Sequence, residues 1–278
     1  MLALKQLHFK YPKGRPILKT VDLTFASGSI YGLFGKNGEG KSTLMKLVCG
    51  LLNPGAGYCT LYGESTNERN VQTLKDLYFI PEEFELPAVS IETYEKINSV
   101  FYPNFSAESF YVLIEEFGLF RKQGIAKLSF GQKKKVMIAF GLATNTPLLL
   151  MDEPTNGLDI PSKSQFRKIL ASAIDEDKCI IISTHQVRDL HSLIDHVVIM
   201  DNAQIIFDQS LSNVSEALWF GRASQAAESK IIFSESSFGG KAILTRENRE
   251  ESEVDLELLF NGVLTNREEI NSILKTKY

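Results

Sequence analysis

The chain has 278 residues, 44% apolar and 23% charged, with a formal net charge of −4. That length and composition suit one large globular domain with a smaller appendage. The acidic balance argues against a protein that holds a nucleic-acid backbone over a broad surface, since such binding rests on clustered Lys and Arg, and the basic run Lys133 to Lys135 is too short to change this.

Leu2 to Phe9 and Ile17 to Phe25 alternate as strands do, and Tyr11-Pro12-Lys13-Gly14 between them is a turn by composition. Tyr11 is placed either to stack on a purine base or to cover a sheet edge. Ser27-Gly28 turns into a third strand, Ile30 to Phe34. That strand feeds GKNGEGKST, Gly35 to Thr43, which fits the pattern G-x-x-x-x-G-K-[ST] and opens an amphipathic helix over Thr43 to Leu52. Strand, glycine-rich loop and helix together make a phosphate cradle. Gly35, Gly38 and Gly40 let the backbone curl so that successive N–H groups along Gly35, Lys36, Asn37, Gly38, Glu39 and Gly40 point inward. The helix N-terminus adds positive dipole, and Lys41 reaches the β- and γ-phosphates. Ser42 is placed to bind Mg²⁺ through its hydroxyl.

Asn53 to Gly57 is a turn, Tyr58 to Tyr62 a short strand, and Leu77 to Ile80 another strand that Pro81 stops. Glu82, Glu83 and Glu85 follow in a loop at a strand end, which is a place for chemistry or a solvated acidic loop. Helices are expected over Ile91 to Phe101 and Ala107 to Phe117, with no strand signal between Pro87 and Leu128, so this stretch reads as a helical insertion. Leu128-Ser129-Phe130-Gly131-Gln132 leads into a helix over Lys133 to Thr144. Its small residues offer N–H groups and a hydroxyl to an anion, or form an ordinary N-cap with Ser129 as the cap. Pro147 to Met151 is a buried strand ending in Asp152-Glu153, two carboxylates at a crevice that a bound cation would stabilise. Asp152 suits metal coordination, and Glu153 suits orienting or deprotonating an attacking water. A helix started by Pro161 precedes the strand Ile180 to Ile182, with His185 just past its end, either near a γ-phosphate or as a satisfied core histidine. Val197 to Met200 and Gln204 to Phe207 form a closing hairpin. From about Ser210 the composition turns polar, with short strands at Ile231 to Phe233 and Lys241 to Thr245 and a helix over Val254 to Phe260.

Cys49, Cys59 and Cys179 stand far apart and read as buried thiols in a reducing compartment. The histidines show no metal-ligand spacing with them, and His191 and His196 read as helix-surface and strand-edge residues. No apolar run approaches the roughly 18 to 20 residues that cross a bilayer, and the first residues lack a signal peptide's apolar core, so a cytoplasmic chain is expected.

In this order GKNGEGKST, LSFGQ, LLLMDEPTNGLD and STH are specific, and the chain resembles an ATP-binding subunit of an ABC transporter from about Leu2 to Phe207. The resemblance implies the P-loop NTPase fold of the ABC cassette: a mostly parallel α/β core sheet, an antiparallel β edge and a helical subdomain. The cassette would span residues 1–209, with the helical subdomain at about 88–146 and an accessory region at 210–278. It implies ATP and Mg²⁺ as ligands, Tyr11 in the adenine-stacking place, Gly35 to Thr43 as the Walker A loop and Ser129, Gly131 and Gln132 in the signature loop. Asp152 and Glu153 take the Walker B places, with Glu153 catalytic, and His185 is the switch histidine. Two departures stand out: Glu82 occupies the place of the usual metal-touching Gln, and Phe130 that of a Gly. Pro81-Glu82-Glu83 resembles subunits that pair with ABC-2-type permeases, many of them exporters. The partners implied are a permease and a second copy of the chain or a similar subunit, at the inner face of the membrane. A soluble ABC ATPase acting on ribosomes or DNA is the rival reading, disfavoured by the single cassette, the lack of a coiled coil and the absence of a basic stripe. A P-loop kinase or GTPase leaves LSFGQ and STH unexplained.

Overall fold

The computed structural model describes residues 1–190, 192–223, 231–237, 240–246 and 252–275. His191 and most of the acidic stretch 247–253 lie outside them. Strands β1 (Leu2–Lys10) and β2 (Pro16–Phe25) pair antiparallel and bury Leu2, Leu4, Leu7, Leu18, Val21 and Phe25, with a register shift between Leu4 and Leu7 that breaks the strict alternation. After β3 (Ser29–Phe34), the first helix α1 (Lys41–Val48) begins at Lys41, earlier than the expected Thr43, because Gly40 turns the chain in the left-handed region directly before it. Strands β4 (Ala56–Leu61) and β5 (Glu64–Ser65) join the first pair, so the expected antiparallel edge is a separate four-stranded sheet in the order β2-β1-β4-β5.

The short helix α2 (Val71–Lys75), which the sequence reading did not contain, leads into β6 (Leu77–Ile80). The insertion is helical as expected, with α3 (Ile91–Asn98), α4 (Ala107–Glu116) and α5 (Phe130–Ala143). Aromatic rings hold it to the core: Phe140 lies 5.3 Å from Tyr94, 5.9 Å from Phe110 and 5.6 Å from Tyr78 of β6. Helix α5 starts at Phe130 instead of Lys133. Ser129 Oγ accepts from Gln132 N at 3.2 Å while Gln132 Oε1 accepts from Ser129 N at 3.0 Å, a capping box that pulls the start forward.

Strand β7 (Leu148–Asp152), helix α6 (Ile160–Ala173) and strands β8 (Cys179–Thr184), β9 (His196–Asp201) and β10 (Gln204–Ser210) complete the core sheet. Its order is β10-β9-β3-β8-β7-β6, parallel throughout except for β10. His196 stands at the start of β9, bonded to Asp208 at 2.7 Å.

Beyond it, α7 (Leu211–Ala217) precedes an antiparallel three-stranded sheet of β11 (Trp219–Arg222), β12 (Ile231–Ser237) and β13 (Gly240–Thr245), in the order β11-β13-β12. Helices α8 (Leu256–Thr265) and α9 (Arg267–Lys275) follow. The two strands and one helix expected here are present, while α7, β11 and α9 were not anticipated. Leu256 and Leu259 of α8 share a core cluster with Val187 and Leu190, just past His185.

All three cysteines are buried and free, and burial pushes Cys59 and Cys179 up to about 12 and raises Cys49 as well. Native protein at pH 8 should therefore resist iodoacetamide over a period in which the urea-unfolded chain is fully alkylated, as read by intact mass; rapid labelling of the native form would contradict this burial.

Candidate active site

Two close approaches shape the loop between β3 and α1. A Cβ at Gly35 would stand 2.8 Å from Met200 O, and Gly40 has φ 105, so both positions require glycine. The loop wraps Lys41, whose ammonium donates to Gly35 O at 2.7 Å and Lys36 O at 3.3 Å. Burial lowers the Lys41 pKa, opposed by the carboxylates of Glu153, Asp152 and Glu82. Tyr11 pairs its hydroxyl with Thr43 Oγ1 at 3.4 Å and sets its ring edge-on to Phe9.

Parallel register brings the other groups to the same edge of the sheet. Phe34 stands opposite Thr184, and Asp152 opposite Ser183, so Gly35, Glu153 and His185 leave three adjacent strands together. Glu153 is 4% exposed and its backbone is left-handed, with φ 45. Its carboxylate accepts from Thr184 Oγ1 at 2.9 Å on one oxygen and from His185 N at 2.9 Å on the other, which also meets His185 Nδ1 at 2.7 Å. Asp152 is buried and accepts from the Ser183 hydroxyl. Glu82, past the end of β6, accepts from Asn156 Nδ2 at 2.9 Å.

A cleft of about 330 Å³ joins Gly40, Lys41, Ser42 and Thr43 on one side to Glu82, Glu153 and His185 on the other, with Asn37 and Gly38 on its rim. Its geometry suits an anion held by the loop N–H groups and Lys41, with a carboxylate facing it. Among the described residues no three His, Cys, Asp or Glu side chains form a metal cluster. Ser42 and Glu82 line the cleft while Asp152, buried at the end of β7, does not; the three offer only oxygen donors, which fits Mg²⁺ completed by phosphate oxygens and water. Ser129, Gly131 and Gln132 do not line this cleft, nor does Tyr11.

Some of the site escaped the sequence reading. Thr184, Asn156 and Ser183 act by holding the carboxylates, and only strand register reveals them. Lys134, the middle of the short basic run, is fully buried and donates to the backbone carbonyls of Glu82 and Glu153. Gly131 sits so close to the turn after Glu153 that a Cβ there would stand 2.5 Å from Gly157 O.

The family model of the ABC transporter matches residues 18–156, half of the chain. A curated relative, the putative ABC transporter ATP-binding protein LMOf2365_1216 of Listeria monocytogenes serotype 4b (strain F2365), is 30% identical over 77% of this chain and 84% of its own. The chain belongs to the ABC transporter family, as an ATP-binding subunit. This ABC ATPase is also 30% identical to the lantibiotic transport ATP-binding protein SrtF of Streptococcus pyogenes, over 75% of this chain and 90% of that one. Among solved structures, one titled as the ATP-binding subunit of an ABC transporter superposes with a TM-score of 0.71 at 26% identity, covering 78% of this chain and 92% of that chain. The expected cassette fold is thus the observed one, and the chain is an ATP-binding ATPase.

Gly131→Ala should destabilise this ABC subunit by about 1–3 kcal/mol, the usual cost of forcing a methyl into a packed contact. Urea denaturation followed by circular dichroism would measure it, and an unchanged midpoint would show that the turn at Gly157 yields freely.

Proposed function

We propose that this subunit powers an ABC-2-type exporter by closing on ATP as a head-to-tail pair. In this reading the loop Gly35 to Thr43 and Lys41 hold the phosphates of ATP in one chain, and Ser129 and Gly131 of a second chain cover them. The observation that carries it is the division of anion-binding groups: the phosphate loop and Lys41 share one cleft with Glu153 and His185, while the signature loop stands outside it on the tip of α5. Two copies are what would make the set complete.

Within the pair, Glu153 orients and activates the water that attacks the γ-phosphate, and His185 holds that carboxylate while facing the phosphate. Asp152, Ser42 and Glu82 would hold Mg²⁺, which neutralises phosphate charge as it develops. Tyr11 stacks on the adenine. Residues 1–209 form the cassette, 88–146 its helical subdomain, and 210–278 an accessory region. No helix among the described residues is long and apolar enough to cross a membrane. In this reading a permease supplies the membrane-spanning part, and the subunit works at the cytoplasmic face. The ABC-2-type pairing is supported by the likeness of Pro81-Glu82-Glu83 to subunits of such permeases, many of which export; one relative that shares the cassette is named for ribose import.

An apolar groove between the core and the helical subdomain offers the permease its seat. Val71, Val100 and Phe101 line it and are 68%, 74% and 64% exposed.

Glu153→Gln should retain ATP binding and lose about two to four orders of magnitude in hydrolysis, the scale of a lost general base with lost positioning; turnover near that of the unaltered protein would remove Glu153 from this role. Phe101→Asp should leave the ATPase activity of the isolated subunit intact while reducing its recovery with membranes from the native cell. Equal recovery of both forms would exclude this groove as the permease seat.

A further inference from the structure

Lys134 lies on the helix that Ser129 caps, between two more accessible lysines, yet none of its own surface is exposed. Its ammonium donates to the backbone carbonyl of Glu153 at 3.0 Å and to that of Glu82 at 3.2 Å. Above it the rings of Phe84 and Phe130 stack 5.4 Å apart, and the ammonium lies 5.9 Å and 5.4 Å from their centres. A buried ammonium is strongly disfavoured without partners. Here two carbonyls, two aromatic faces and the nearby charges of Glu82, Asp152 and Glu153 supply them.

Both carbonyls belong to segments that matter. Glu82 follows β6, and Glu153 follows β7 in a left-handed conformation that a residue with a Cβ rarely adopts. With its carbonyl fixed by Lys134 and its N–H bonded to Ser183 O at 3.0 Å, Glu153 is held on both sides of its Cα. Its carboxylate can then face Thr184 and His185. Phe130, the residue that departs from the usual signature, provides the ring that covers Lys134 and packs against Gly157.

We propose that Lys134 is a positioning residue: it fixes the backbone of Glu153 and Glu82 and passes movement of the signature helix α5 to the water-activating carboxylate. This rests on the role proposed for Glu153. In the closed pair, Ser129 at the tip of α5 meets the ATP of the other chain, while Lys134 on the same helix grips the Glu153 of its own. Each signature helix therefore connects the two ATP sites. Lys134 itself touches no substrate.

The test is steady-state hydrolysis by Lys134→Met, which keeps length and bulk and removes both hydrogen bonds. Its kcat should fall about tenfold or more with KM for ATP within about threefold, the pattern of a displaced catalytic group with binding retained. In a Glu153→Gln background, single-turnover rates should drop by less than about twofold further when Lys134→Met is added, because residues acting as one unit are not additive. Lys134→Gln, which keeps N–H donors, should recover at least about threefold of the lost kcat. A folded Lys134→Met with kcat within about twofold of the unaltered protein, or a loss that multiplies unchanged in the Glu153→Gln background, overturns the proposal. Should Lys134→Met fail to fold, Lys134→Gln takes the same two measurements, with a reduced kcat required in the first and non-additivity in the second. Near-normal hydrolysis by Glu153→Gln alone would instead sink the reading beneath it.

Discussion

Phe34 faces Thr184 across one strand pair and Asp152 faces Ser183 across the next, and the polar contacts of the site depend on that register. A slip of one residue in β8 would turn Thr184 and Ser183 to the opposite faces of the sheet, leaving the carboxylates of Glu153 and Asp152 without their hydroxyl donors. The strands are continuous apolar runs, Leu148 to Met151 and Ile180 to Ile182, buried on both faces, so a slip is resisted by the close packing of individual side chains and not by alternation. Core packing thereby determines the geometry of the chemistry.

That geometry concentrates charge in a dry place. Lys41, Lys134, Asp152 and Glu153 are all buried within one sheet edge, and each has hydrogen-bond partners. Such a set is costly to assemble and holds its shape once assembled, since removing one member leaves another charge unpaired. The same arrangement that stabilises the carboxylates orients Glu153 toward the cleft. Helix α8 packs on the turn just past His185, so the C-terminal region abuts the edge of this set, with Arg188 paired to Glu257 at 2.5 Å.

Much of this was legible in the sequence because the motifs are local. The run of Gly35 to Ser42 specifies its own loop, and Asp152-Glu153 announces itself by following an apolar run. Strand positions in the core agree to within a residue or two, except that β10 runs three residues past the expected Phe207. What stayed hidden depends on contacts distant in sequence. Thr184 bonds to Glu153 and Asn156 to Glu82 only because strands pair as they do. In the sequence Lys134 is only the middle of a short basic run, because local composition carries no record of burial. Its position four residues after Phe130, on the same helix face, was the one local hint. The start of α5 is hidden for a related reason: Ser129 is recognisable as a cap, but the reciprocal bond from Ser129 N to Gln132 Oε1 shows only in the structure.

In the proposed pair each ATP site is shared between two chains, and a mixed pair tests this most directly. One chain carries Lys41→Ala and the other Ser129→Arg, each unable to form a nucleotide-bound pair by itself. Head-to-tail pairing puts both lesions into one site and leaves the second intact. Native mass spectrometry with slowly hydrolysed ATP should then find a mixed dimer holding a single nucleotide. If both variants are folded and mixing yields no nucleotide-bound dimer, the phosphate loop and the signature do not act across an interface in this protein.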